Sequence, residues 1–225
     1  TSSNALKRGA KIYGSVPEGC EQAQRCPNDI QEDDLTYWPG AGLSLVGPLL
    51  MDTHVSERKR ELRFISLLAE VDVAAGIGID ETSAVMLKLG ESSMQVEALG
   101  RSGAWWFMKP YHDNNYESVK LKAHYLAPGE IFSWQNNLLI GQNNNRYQAS
   151  NAKQIEVTDA IKGPGIRDEV WNMVSQQQPS VELTAVAHRI LVKSSSESKQ
   201  WQGLDGQIGI TDLQIEIIDT HKQIK

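Results

Sequence analysis

Cysteine is nearly absent: the chain of 225 residues has two, Cys20 and Cys26, in the segment GCEQAQRC. That excludes a disulfide-dense scaffold. It also leaves a zinc site without the two further soft ligands it would want nearby. The pair lies among Gly, Pro and Asn, a loop composition. A small disulfide loop and two free thiols are the readings left, and the disulfide would favour a periplasmic or extracellular protein. Long apolar runs are missing too. No stretch approaches the roughly 18 residues of a membrane span, and no signal peptide stands at the start, although a processed chain would have lost one. There is no basic excess: 22 Lys and Arg stand against 28 Asp and Glu, for a net charge of −6 and a pI near 5.4. Nothing in that balance favours nucleic acid or an anionic membrane as partner. Internal repeats are not visible. GPGIRDE (163–169) matches no nucleotide motif in glycine count or spacing, and no metal or organic cofactor is suggested.

What is present supports a folded enzyme-sized chain. Apolar residues make up 40% of it, enough for a real core in one domain or one and a half. Residues 4–13 read as a short helix running into a strand or turn, and residues 14–41, with PEG, CPND and WPGAG, as a long inserted loop. LSLVGPLLMDTH predicts a buried strand. SERKRELRFISLLAEV predicts a helix capped by Ser56, with Leu62, Ile65, Leu68 and Ala69 as its apolar stripe. GIGID predicts a buried strand, SAVMLKL and SMQVEAL a hairpin around GESS, and SVKLKAHYLAPGEIFSW a strand and turn. Residues 134–155, rich in Asn and Gln, read as loop with short strands. A helix is expected from about Arg167, then two final strands in VELTAVAHRILVKSSS and GQIGITDLQIEIID. The pattern argues for α/β with an antiparallel extension.

The segment MDTHVSERKRELR concentrates the chemistry. Asp52 and His54 end a predicted strand, where ligand sites of α/β sheets lie. Arg58, Arg60 and Arg63 start the next helix, where free N–H groups and the dipole favour anions. Three Arg there can clamp carboxylates bidentately. A solvated basic face balanced by Glu57, Glu61 and Glu70 is the plainer alternative. Asp80 and Glu81 close the next strand, and a carboxylate there can orient His54 as the acid member of a triad does. His112, His124 and His188 read as core or surface residues, and Trp105 and Trp106 as packing.

Asp52-x-His54-x-Ser56-x-Arg58-x-Arg60-x-x-Arg63, followed by a helix and Gly76-Ile77-Gly78-Ile79-Asp80-Glu81, resembles the cyanophycinase family, serine peptidases related to dipeptidase E. AHYLAPGEIF (123–132) resembles the family's late strand and turn, and Thr1-Ser2-Ser3-Asn4-Ala5 its nucleophile turn without the leading glycine. The resemblance covers roughly residues 1–135. It implies a flavodoxin-like three-layer α/β/α fold, here its second part only. Residues 1–135 would be the catalytic portion, with 14–41 inserted, and 136–225 a β-rich extension packed on the same domain. It implies Ser2 as nucleophile, His54 as general base and Glu81 as the acid that orients it. Asp52, Thr53, Arg58, Arg60 and Arg63 would form the pocket for an aspartyl peptide. Thr53 and Val55 stand where the family commonly has Gln and Phe, and Asn4 replaces the elbow glycine, which Asn tolerates better than most residues.

A nucleophile elbow needs a strand before it, and this chain starts at the elbow. An upstream segment of the same precursor is therefore the expected partner, released by autocatalytic cleavage before Thr1. That would make Thr1 a competing nucleophile, its own α-amine (pKa about 7.7–8.0) serving as base. The expected reaction is amide or isopeptide hydrolysis through an acyl-enzyme, by a homodimer of processed heterodimers. Two alternatives stay open: an inactive binder of acidic peptides and an asparaginase-like amidohydrolase with a terminal Thr.

Overall fold

A computed structural model describes residues 6–8, 35–37, 46, 49–70, 73–112, 118–142, 145–149, 158–160, 163–185, 188–203 and 205–219. The described elements are mostly strands. In chain order they are β1 (Leu6–Arg8), β2 (Leu35–Tyr37), β3 (Leu49–Thr53), α1 (Glu61–Glu70), β4 (Ala75–Ile79), β5 (Ser83–Leu89), β6 (Met94–Gly100), β7 (Ala104–Met108) and β8 (Tyr111–His112). Then follow β9 (Ser118–Leu126), β10 (Ile131–Gln135), β11 (Leu138–Gly141), β12 (Thr158–Asp159), α2 (Ile166–Ser175), β13 (Ser180–Ala185), β14 (His188–Lys193), β15 (Gln200–Gln202) and β16 (Ile208–Asp219).

A ten-stranded mixed sheet runs β12-β13-β14-β16-β9-β7-β4-β3, with β15 on β16 and β8 on β9. A second sheet of four antiparallel strands runs β11-β10-β6-β5, and β1 pairs with β2 alone. Both described helices cover one face of the large sheet. Phe64, Ile65, Leu67 and Leu68 of α1, with Val170 and Met173 of α2, bury against Trp105, Phe107, Tyr125 and Ile190. The small sheet covers the other face through Val96, Phe132 and Leu139 against Ile77, Trp106 and Leu126. The Trp105–Trp106 doublet shows how a strand divides its neighbours. Successive side chains point to opposite faces, so each indole enters a different core, and both are fully buried.

The flavodoxin-like α/β/α fold is overturned by this topology. That fold needs repeated strand–helix crossovers to keep its strands parallel. Here β3, α1 and β4 form one such unit, with β3 and β4 parallel. After β4 the chain leaves the sheet through the β5–β6 hairpin and returns as β7, antiparallel to β4. From β7 to β16 along the sheet the pairings stay antiparallel. Strands from either side of residue 135 share the large sheet, because β16 lies between β9 and β14. Two local readings also change. Leu6–Arg8 is a strand, and VELTAVAHRILVK is a hairpin, β13 pairing with β14 in register Ala185 with His188. No Gly, Pro or Asn marks that turn in the sequence.

Candidate active site

The chain does not pass directly from β3 into the helix. His54 adopts a left-handed backbone, φ 53°, residues 55–59 form turns, and α1 begins at Glu61. Ser56 therefore does not cap the helix. Its N–H donates to Asp80 Oδ1 at 3.0 Å, and its hydroxyl accepts from Trp105 Nε1 at 3.0 Å. Val55 is fully buried over β4. A Cβ on Gly78 would lie 3.0–3.2 Å from three Val55 carbons, so a glycine there makes the close approach comfortable. The turn is thus clamped to the end of β4, where Asp80 and Glu81 follow. Thr82 next to them is also left-handed, φ 58°. That conformation strains a β-branched residue.

This clamp brings together two residues that lie 27 positions apart: His54 Nδ1 is 2.9 Å from Glu81 Oε1. Their side chains are 42% and 49% exposed. A carboxylate at Nδ1 holds the proton on that nitrogen and leaves Nε2 as the acceptor.

The other expected site residues divide. Asp52 is 2% exposed, with Arg60 Nη1 3.8 Å from its Oδ1 and Arg63 Nη2 3.8 Å from its Oδ2. Arg60 also donates to the Thr53 carbonyl at 3.3 Å. This is a charge cluster turned inward, whereas Arg58 and Thr53 are exposed beside His54. Arg58 and Arg60 precede α1; of the three arginines only Arg63 lies within it. Thr1, Ser2, Cys20 and Cys26 lie outside the described residues.

Behind the pair sits a second network that sequence reasoning missed. Arg167, in the first turn of α2, donates through Nη1 to Glu57 Oε1 at 2.5 Å and to Asp80 Oδ2 at 3.0 Å. Its Nε donates to Asp168 Oδ1 at 3.0 Å, and its guanidinium lies 5.1 Å from the centre of the Trp171 ring. Tyr125 donates its hydroxyl to Asp80 Oδ2 at 2.7 Å. Glu57 Oε2 accepts the Glu81 backbone N–H at 3.0 Å. Burial pushes Asp80 up, and the Glu57 charge adds to it; the bond from Tyr125 and the Arg167 charge oppose both. Burial also raises the Tyr125 hydroxyl, reinforced by Asp80. For Arg167 burial works against the charge, yet Asp80 and its other partners raise it overall. Glu61, fully buried at the start of α1, is pushed up to about 8 by burial. The one available signal was the charge run Arg167-Asp168-Glu169 after GPG, which carries no label of its partners.

An open cleft of about 650 Å³ lies beside this network, lined by Glu57, Arg101, Arg167, Trp171, Asp205 and Gln207 among others. Among the described residues no group of three or more His, Cys, Asp or Glu is placed to hold a metal ion. Likewise, no described helix is long and apolar enough to cross a membrane. No family model matches the chain, and no solved structure matches it.

Proposed function

We propose that the chain is a cyanophycinase-like amidohydrolase that opens an amide or isopeptide bond at an aspartyl-containing peptide through an acyl-enzyme. The contact of 2.9 Å between His54 Nδ1 and Glu81 Oε1 carries this reading. The resemblance of the motif from Asp52 to Arg63 to that of cyanophycinases is what supports the class of substrate. In this reading Ser2, or Thr1 with the same pair reused around it in place of its own α-amine, attacks the scissile carbonyl carbon while His54 Nε2 takes the hydroxyl proton. Glu81 stabilises the imidazolium that forms. As the tetrahedral intermediate collapses, His54 returns the proton to the leaving amine, and an ester to the enzyme remains. Water, activated by the same imidazole, then releases the acid. In this reading exposed Arg58 meets the aspartyl carboxylate, a role supported by its exposure while Arg60 and Arg63 lie against Asp52.

The test uses protein expressed from its complete gene and a β-linked aspartyl peptide. His54→Ala is expected to lower kcat by about 10³- to 10⁴-fold, and Glu81→Gln by about 10²- to 10⁴-fold. Mass mapping of a phosphonate adduct locates the nucleophile at Ser2 or Thr1. Wild-type turnover in His54→Ala would overturn the reading, and so would an adduct at neither residue.

A further inference from the structure

We propose that Arg167 is a positioning residue for the His54–Glu81 pair, acting through Glu57. The inference rests on the catalytic reading of that pair and assigns it a support from the far end of the chain. The geometry is a relay of two bonds on one carboxylate. Glu57 Oε1 takes the Arg167 guanidinium at 2.5 Å, and Glu57 Oε2 takes the Glu81 backbone N–H at 3.0 Å. Arg167 also reaches Asp80 Oδ2 at 3.0 Å, and Asp80 Oδ1 takes the Ser56 N–H at 3.0 Å. One guanidinium, 110 residues along the chain from Glu57, therefore ties together the turn after His54 and the turn that carries Glu81.

Both turns need such a tie. His54 at φ 53° and Thr82 at φ 58° occupy left-handed backbone that neither residue prefers. Conformations of that kind persist only where the surroundings over-determine them. The His54–Glu81 contact itself is too exposed to supply that rigidity, with side chains 42% and 49% open to water. Surface pairs of this sort contribute little by attraction alone. Arg167 is itself held: it is 15% exposed on its side chain, pinned by Asp168 and stacked over Trp171. Arg167 reaches Glu57 and Asp80 from Nη1 while its Nε is held by Asp168, and a lysine ammonium on a flexible stem has no second, rigidly spaced nitrogen to anchor it in that way.

The chemistry predicts which small change breaks the relay. Glu57→Gln keeps the shape but replaces one of the two accepting oxygens with an NH2 donor, so either Arg167 or the Glu81 N–H meets a donor where it had an acceptor. The readout is the tautomer of His54, followed by nitrogen-15 NMR of the imidazole in the folded protein. Wild type is expected to hold the proton on Nδ1. Glu57→Gln and Arg167→Lys are each expected to shift population to the Nε2–H form. They should also lower kcat about 10²-fold with KM little changed, as a misplaced catalytic group does. The double variant should be no worse than the more affected single one. Folded Glu57→Gln with the wild-type tautomer and kcat would overturn the role of Arg167 while leaving the pair intact. A wild-type protein with no Nδ1–H tautomer would overturn both, because there would be no oriented pair to position. Arg167→Met is a harsher variant, since it leaves buried Asp80 without its cation. Glu57→Gln keeps the test decisive if Arg167→Met fails to fold.

Discussion

Trp105 donates its indole N–H to the hydroxyl of Ser56 at 3.0 Å, across 49 residues, and both groups are buried. The bond joins β7, in the middle of the large sheet, to the turn directly behind His54. The core thereby reaches the candidate site without any part of it being exposed. The same indole stacks on Phe107 with centroids 5.2 Å apart and meets Tyr125 edge-on at 5.1 Å.

Trp105→Phe would remove the donor and leave the Ser56 hydroxyl buried without it. The expected cost is about 1–3 kcal/mol for that group, with a further loss for the volume removed. Adding Ser56→Ala deletes the acceptor as well, so the double variant should be less destabilised than the sum of the singles. A coupling of about 1 kcal/mol in a urea-denaturation cycle is the expected result. Strict additivity would show that the bond contributes nothing.

Glu61 predicts a loss of stability in base. Its carboxyl is raised from 4.5 to about 8, chiefly by burial; Asp80 raises it further, while backbone N–H groups, including that of Arg167, and the Arg167 charge lower it. Between those two values the folded chain keeps a proton that the unfolded chain has released. Stability is therefore fully present below about pH 4.5 and falls as pH rises toward 8. Glu61→Gln keeps a neutral group of similar shape and should flatten this slope. Denaturation midpoints of the two proteins should nearly agree at pH 5, with the variant higher at pH 9. Parallel curves from 5 to 9 would refute the assignment.

His124 predicts the opposite sign. Its Nδ1 accepts the backbone N–H of Asp212 at 3.1 Å, at the bulge in β16, and its ring is 1% exposed. Burial lowers it from 6.5 to about 4, helped by Lys122 and opposed by Asp212. The unfolded chain takes up a proton near 6.5 that the folded chain refuses until about 4, so this contribution is lost as pH falls through that window. His124→Gln offers an amide oxygen to the same N–H and does not titrate. Circular dichroism midpoints between pH 7 and 4 should fall less steeply in the variant than in wild type. An equal acid slope in both would place the titrating group elsewhere.

The local elements were legible where period and punctuation agree. GIGID reads as a buried strand and forms β4, and SAVMLKL with SMQVEAL reads as a hairpin and forms β5 and β6. The helix expected over 56–71 starts later, at Glu61. Ser56 looks like a cap because its hydroxyl type suits one, but Trp105 and Asp80 compete for its groups and win. VELTAVAHRILVK reads as one strand because nothing in it favours a turn, yet pairing of Val192 against Val181 closes a hairpin.

By itself the sequence determined the strands β3 and β4, the burial of β4, and the chemical types gathered between Asp52 and Glu81. Those follow from side-chain period, polarity and spacing, which are properties of neighbours along the chain. Only the tertiary structure decided that β7 returns antiparallel beside β4, that Asp52 turns inward to Arg60 and Arg63, and that Arg167 stands behind Glu57 and Asp80. Each of these is a pairing between distant residues, and an arginine in a charged run carries no mark of which carboxylate it will meet. Register, burial and the closing of a sheet choose that partner, and they exist only once the whole chain has packed.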